Sequence, residues 1–247
     1  MLQLEASLSP ILRNPLTHPP HVSIEFSTSR FLVKTATTAL EQLEVFHLRY
    51  HHFFQEFTGR SNSRGVDVDS FDQDCDYLLV RDLKTQAVVG TYRIICDAVH
   101  DKFYSGTEFD LSIFSKRPGP KVELSRACIH PDYRNGMVIM ALWKGVFEYL
   151  VRSEARYLFG LSSIQPPAGT SIAGVIQQLK NRQWVDPSLG VTPLSAPEIG
   201  DENSQMAKVT LPPLFKAYFK AGALAGGMPA YDPECLCYDF FTVLDTR

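Results

Sequence analysis

The residues most able to do chemistry in this chain are gathered in one stretch, KVELSRACIHPDYRNG, at positions 121–136. Glu123 and Arg126 lie inside a β-type run, and Arg134, Asn135 and Gly136 form a turn ahead of a long apolar segment. Strand, glycine-bearing turn and helix together make an anion site. The free N–H groups and positive dipole end of a helix start favour a phosphate, and the glycine lets it come close. A carboxylate on the strand that feeds such a site suits acyl transfer to an amine. The amine must lose a proton, which Glu123 can take as general base, and backbone N–H groups can hold the developing oxyanion. A donor whose thiol sits on a phosphorylated arm would use both parts. The plain alternative is a helix cap with one arginine nearby. Geometry adds a condition, because residues three apart on a regular strand point to opposite faces. Glu123 and Arg126 share a site only if a β-bulge intervenes; otherwise one is structural, Arg126 as a salt bridge at the strand edge.

Other residues carry weaker signals. Arg49 borders an apolar helix face marked by Phe46 and Phe53, where it can snorkel outward or grip a carboxylate bidentately. Asp67, Asp69, Asp72, Asp74 and Asp76 fall within ten positions. Either they cap a solvated loop, or the cluster clamps a cationic acceptor. His47 and His51 have metal-compatible spacing but no third ligand, and Cys235 and Cys237 are too sparse for a metal site, so no metal is expected. Trp143, Phe147 and Leu150 at helical spacing read first as core. Lys208, Lys216 and Lys220 near the last helix read as a solvated face, or as a dock for an acidic carrier protein or anionic headgroups.

These residues need elements to position them. VSIEF and RFLVKTA are strand material; from Thr37 onward Leu43, Phe46, Tyr50, Phe53 and Phe57 repeat at helical spacing, with Gly59 as a stop. DYLLVRD and AVVGTYRIICD make a hairpin about LKTQ, and KVELSRACIH is the next strand. Residues 136–152 are a helix, apolar nearly all round as expected of a buried one. RYLFGLSSI, SIAGVIQQLKN, a loop near 186–205, LPPLFKAYFKAG and YDFFTVLD complete a strand, helix, loop, helix and strand. A meander followed by crossovers implies a largely antiparallel sheet with helices on both faces, an α+β or mixed α/β fold. The expected organisation is an irregular proline-rich arm at 1–21 and one domain over 22–247.

The chain has 247 residues, 45% hydrophobic and 21% charged, with net charge −3 and five cysteines. That composition suits a soluble globular protein with free thiols in a reducing cytoplasm. It provides no general field for nucleic acid. The amino terminus lacks a basic segment followed by an apolar core, so no secretory signal is expected, and no apolar run approaches the ~20 residues needed to span a bilayer.

Several stretches, in order, resemble one family: HLRYHHFFQE (47–56), DSFDQDCDYLLVRD with VVGTYRII (69–95), YSGTEFDLS (104–112), KVELSRACIHPDYRNG, ALWKGVFEYL (141–150), YLFGLSSI (157–164) and LPPLFKAYFKAGA (211–223). Over roughly residues 30–245 the chain is similar to the ornithine-lipid-type, hemolysin-like N-acyltransferases of the GCN5-related N-acetyltransferase superfamily. The same glutamate–arginine pair occurs in the related acyl-homoserine-lactone autoinducer synthases. The resemblance implies a mostly antiparallel sheet splayed at its middle, and a long-chain acyl donor, 3-hydroxylated or not, on acyl carrier protein. It implies an amino-acid acceptor, ornithine first. By position, Glu123 and Arg126 are the catalytic pair, with Arg126 toward the acyl side. Arg134, Asn135, Gly136 and Ile129 then hold the donor's phosphopantetheine, while Arg49, Phe53, Asp72, Asp76 and Arg93 hold the acceptor, with Asp69 also matching the pattern. No bound cofactor is implied, and the cytoplasmic location allows peripheral contact with the inner membrane. Acetyl-CoA enzymes usually carry (Arg/Gln)-x-x-Gly-x-(Gly/Ala), whereas RNGMVI has a single glycine, which favours a carrier-borne arm over a free nucleotide. Two other readings stand beside this one: synthesis of N-acyl amino acid or acyl-homoserine-lactone signals, and a non-catalytic acyl-carrier or lipid-binding module.

Overall fold

A computed structural model describes residues 19–56, 59–165, 172–197 and 211–247. Strands β1 (Glu25–Ser27) and β2 (Phe31–Thr35) lead to helix α1 (Ala39–Tyr50), which continues as a π-helix over His51–Glu56. Strands β3 (Asp76–Asp82) and β4 (Val88–Cys96) follow, then the short β5 (Phe109–Asp110), β6 (Lys121–Ile129) and helix α2 (Met137–Arg152). Next come β7 (Tyr157–Ile164), α3 (Ile172–Asn181), the short β8 (Thr192–Pro193) and α4 (Pro213–Lys220). Strands β9 (Leu224–Ala225), β10 (Ala230–Asp232) and β11 (Cys237–Asp245) close the chain. This is the expected mixed α/β order, on mostly antiparallel sheet.

The described residues fall into two compact units. One holds the chain up to Asp101 together with Val122–Ala155. Its strands run β1-β2-β3-β4-β6, each antiparallel to the next. Alternation along β3 divides the two helices between the two faces. Tyr77 meets Phe46 of α1 edge to face at 5.3 Å, while neighbouring Leu78 lies beneath α2. A Cβ on Gly145 of α2 would stand 2.8 Å from Leu78 and 3.0 Å from Val33. One on Gly90 of β4 would stand 2.5 Å from Val138. The two glycines therefore let α2 and the sheet approach more closely than side chains would permit. Helix α1 begins at a full capping box, with Thr38 accepting from Glu41 N and the Glu41 carboxylate reaching back to Thr38 N.

The other unit holds Lys102–Lys121 and Arg156–Arg247. Strands β7 and β11 pair along their length, with Tyr157 opposite Asp245 and Ile164 opposite Tyr238. Alternation on β11 feeds two cores: Phe240 joins Phe215, Phe219 and the apolar side of α3, and Phe241 joins Phe109, Phe114 and Phe159. No helix among the described residues is long and apolar enough to cross a membrane.

Two expectations about helices change. The α-period ends at Tyr50, and the π-helix that continues it over His51–Glu56 holds no buried residue, so Phe53 is not part of the core as Phe46 is. Helix α2 is not buried all round. Leu150 is buried, but Phe147 faces solvent. Residues 1–18 of the proline-rich arm, Phe57, Lys208 and 198–205 of the long loop lie outside the described residues.

Candidate active site

The geometric condition on Glu123 and Arg126 is met by a bulge. Arg93 of β4 stands opposite Ser125 and Thr91 opposite Cys128, so β6 carries one residue more than its partner between those pairs. Arg126 occupies that extra position with φ 51°, in the left-handed region that a non-glycine side chain adopts only at a cost. Arg93 Nε donates to Ser125 Oγ at 2.9 Å, which places both side chains on one face. Glu123, two residues before Ser125 and opposite Ile95, lies on that same face and is fully buried. This is the face that α1 covers.

The bulge turns the Arg126 guanidinium into a network of charges. Arg126 Nη2 donates to Asp69 Oδ2 at 2.9 Å, and its Nε is 3.5 Å from Asp67 Oδ2. Its guanidinium carbon lies 5.3 Å from the centre of the Phe53 ring, a cation–π distance. Arg93 Nη1 reaches the other oxygen of Asp69 at 2.6 Å and Asp72 Oδ1 at 3.2 Å. Arg49 grips Asp72 with both terminal nitrogens, at 2.6 and 3.0 Å, and Asp67 through Nε at 2.9 Å. Tyr77 adds its hydroxyl to Asp72 Oδ1 at 3.1 Å. Three guanidinium groups thus face three carboxylates.

Electrostatics follow from that packing. Burial opposes a charge on Asp72, yet Arg49 and Arg93 hold its carboxyl well below the usual carboxylate range. Burial works against the Arg49 charge too, and Asp72 and Asp67 outweigh it. Burial and the Asp72 charge together push the Tyr77 phenol upward, so it remains a donor. Arg49, Asp72 and Arg93 are sealed from solvent, whereas Arg126 and Asp69 keep 22% and 25% of their side-chain surface exposed. The network therefore has a closed core and an open end.

Not every expected residue joins it. Asp76 is buried on the opposite face, where its carboxylate accepts from His21 N, Val22 N and the Tyr149 hydroxyl at 2.9, 3.0 and 2.8 Å. Burial, with the Asp76 charge beside it, raises the Tyr149 phenol. His47 turns Nδ1 toward the Gly65 carbonyl at 2.8 Å, and His51 turns its own toward Gln55. Cys235 and Cys237 form no disulfide, and Cys237 Sγ lies 3.5 Å from Asp239 Oδ2.

The turn after β6 is built for the start of α2. Ile129 closes the strand opposite Gly90, and its carbonyl accepts from Arg134 Nε at 3.0 Å. Asn135 Oδ1 takes the Met137 N–H at 3.1 Å, and Gly136 caps the helix at φ 92°, with nothing within 4 Å of where a Cβ would stand. The Arg134 guanidinium is engaged by both carboxylate oxygens of Glu56, at the end of the π-helix, with His52 beside it. That pairing lowers the Glu56 carboxyl to about 2. Sequence reasoning missed Ser125, Tyr77 and the Glu56–Arg134 pair. Ser125 was open to discovery as the next same-face residue after Glu123, whereas the pair joins positions 78 apart.

The mixed α/β order with its mostly antiparallel sheet is that of a GNAT fold, and the relatives of this chain are acyltransferases. A family described as an acetyltransferase (GNAT) domain matches residues 48–144. The L-ornithine N(alpha)-acyltransferase of Rhizobium meliloti (strain 1021) is 30% identical over 220 residues, covering 80% of this chain and 74% of that protein. That of Brucella abortus (strain 2308) is 30% identical over 218 residues, covering 80% and 78%. Among solved structures, the AHL synthase LasI shares the fold with a TM-score of 0.50 at 13% identity, over 89% of this chain and 92% of that one. The chain belongs to the family of the L-ornithine N(alpha)-acyltransferases.

Proposed function

We propose that this enzyme moves a long-chain acyl group from the thioester of an acyl carrier protein to the α-amino group of L-ornithine. The carrying observation is the fully buried Glu123 on the same face as a guanidinium–carboxylate network whose open end is Arg126 and Asp69. Two L-ornithine N(alpha)-acyltransferases matched over most of their length support the choice of acceptor. Five cysteines outside any disulfide suit a cytoplasmic reaction.

In this reading Glu123 takes a proton from the α-ammonium, and the freed amine attacks the thioester carbonyl. A C–N bond forms, the tetrahedral oxyanion collapses, the C–S bond breaks, and the carrier's thiolate takes up the proton that the attacking nitrogen must still lose to become an amide. No covalent enzyme intermediate is required. Arg126 and Asp69 offer opposite charges to an acceptor that carries a carboxylate and ammonium groups. Arg49, Asp72 and Arg93 act through them, as positioning residues that fix the bulge, and Phe53 forms a wall under Arg126. Asp76 holds the segment at His21 and Val22. Ile129, Arg134, Asn135 and Gly136 present the start of α2 to the phosphate of the donor arm.

The test is an in vitro transfer reaction of purified protein with long-chain acyl carrier protein and amino acids, read by mass spectrometry. N-acyl ornithine is the expected product. Turnover that requires S-adenosylmethionine would move the protein to lactone synthesis, and donor binding without turnover would make it an acyl-binding module.

A further inference from the structure

The solvent side of α2 is apolar. Met137, Met140, Phe147 and Val151 fall at spacings of three, seven and four, which stack them on one side of the helix. They are 46, 61, 67 and 61% exposed, while Val138, Leu142, Val146 and Tyr149 fill the buried side. From Met140 to Val151 the stripe runs roughly 16 Å. Lys144 lies within it, with its ammonium 4.3 Å from the Phe26 ring centre. Glu148 sits at its edge and is answered by Arg152 at 3.6 Å. Four large apolar side chains exposed in a row mark a surface that something covers.

We infer that this face of α2 docks on an anionic lipid bilayer. Apolar side chains around a cation, with no acidic residue inside the stripe, match acyl chains below negative headgroups, and Lys144 can extend its stem to keep its charge at that level. A second copy fits less well, because a twofold contact centred on the stripe brings Lys144 against its own mate. An acidic carrier protein would seek several cations, and the stripe offers one. The chemistry of the reaction adds a reason that rests on the proposed function: a long-chain N-acyl amino acid is itself a membrane amphiphile, and a bilayer-bound enzyme releases it where it dissolves.

Vesicle sedimentation tests the inference without reading catalysis, so its failure and that of the proposed reaction are separable. Wild-type protein should pellet with phosphatidylglycerol/phosphatidylethanolamine vesicles. The double variant Met140→Glu/Phe147→Glu should bind about tenfold more weakly, given that affinity follows the apolar area inserted. It should keep the wild-type circular dichroism and melting temperature. Lys144→Glu should weaken binding to these vesicles several-fold more than to phosphatidylcholine vesicles. Wild-type protein left in the supernatant, or equal pelleting of the double variant, would overturn the inference. So would a wild-type dimer, or a complex with acyl carrier protein, that the double variant abolishes while vesicle binding is unchanged.

Discussion

Arg126 reaches Asp69 across 57 positions of sequence, Nη2 to Oδ2 at 2.9 Å, and does so from a left-handed backbone at the β6 bulge. Local strain and long-range pairing are therefore located at one residue. Arg126→Ala should lose the pairing and keep the strain, while Arg126→Gly should lose the pairing and relieve it. The glycine variant should be more stable than the alanine variant by about 1 kcal/mol in urea unfolding. Both should lose acyl transfer if the guanidinium meets the acceptor.

Asp72 is the centre of the closed core, and removing its charge leaves two buried guanidinium groups short of a partner. Asp72→Asn should cost about 3–5 kcal/mol, the range for breaking a buried pair from one side. Urea titration with circular dichroism detection would read it.

The same carboxylate sets a pH dependence. Its native value lies below the 3.8 of a free aspartate, so its contribution is complete above 3.8 and is lost as pH falls through the lower native value. The stability gap between wild type and Asp72→Asn should stay flat from pH 7 to about 4 and narrow below that. A gap that narrows between pH 7 and 5 would show that a different group is responsible.

Glu56 engages the Arg134 guanidinium, which in the proposed reaction meets the donor's phosphate. Glu56→Gln should free Arg134 and lower the KM for the acyl donor by about two- to fivefold, the factor expected for an exposed pair worth under ~1 kcal/mol. Arg134→Ala should raise it. An unchanged KM in both variants would separate this turn from donor binding.

Much of this was readable in advance, for reasons that differ by element. Strands β3, β4 and β6 and helix α2 were legible because their apolar patterns are long and bounded by turns. The spacing of Glu123 and Arg126, three apart on one strand, leaves a bulge or a structural role for one of them, and the register of β4 against β6 decides for the bulge. The acidic loop was harder to read. Asp72 and Asp76 look equivalent in sequence, yet a short 3₁₀ turn at Ser70–Asp72 and the entry into β3 direct them to opposite faces. The switch from α- to π-helix after Tyr50, which leaves Phe53 outside the core, is signalled by no apolar spacing. Phe147 was misjudged because a helix apolar on every side does not reveal which side the sheet covers. The Glu56–Arg134 pair was invisible, since an ion pair between distant positions leaves no local pattern.

The central claim is that Glu123 takes the proton of the attacking amine, and Glu123→Gln tests it most directly because the amide keeps the size and removes the base. The measurement is the rate of N-acyl ornithine formation as a function of pH, wild type against variant, with circular dichroism to confirm the fold. The variant should retain its structure and lose roughly 10²–10⁴-fold in rate at neutral pH, recovering part of it as rising pH deprotonates the amine in solution. A folded variant with wild-type rate and pH profile would contradict the account.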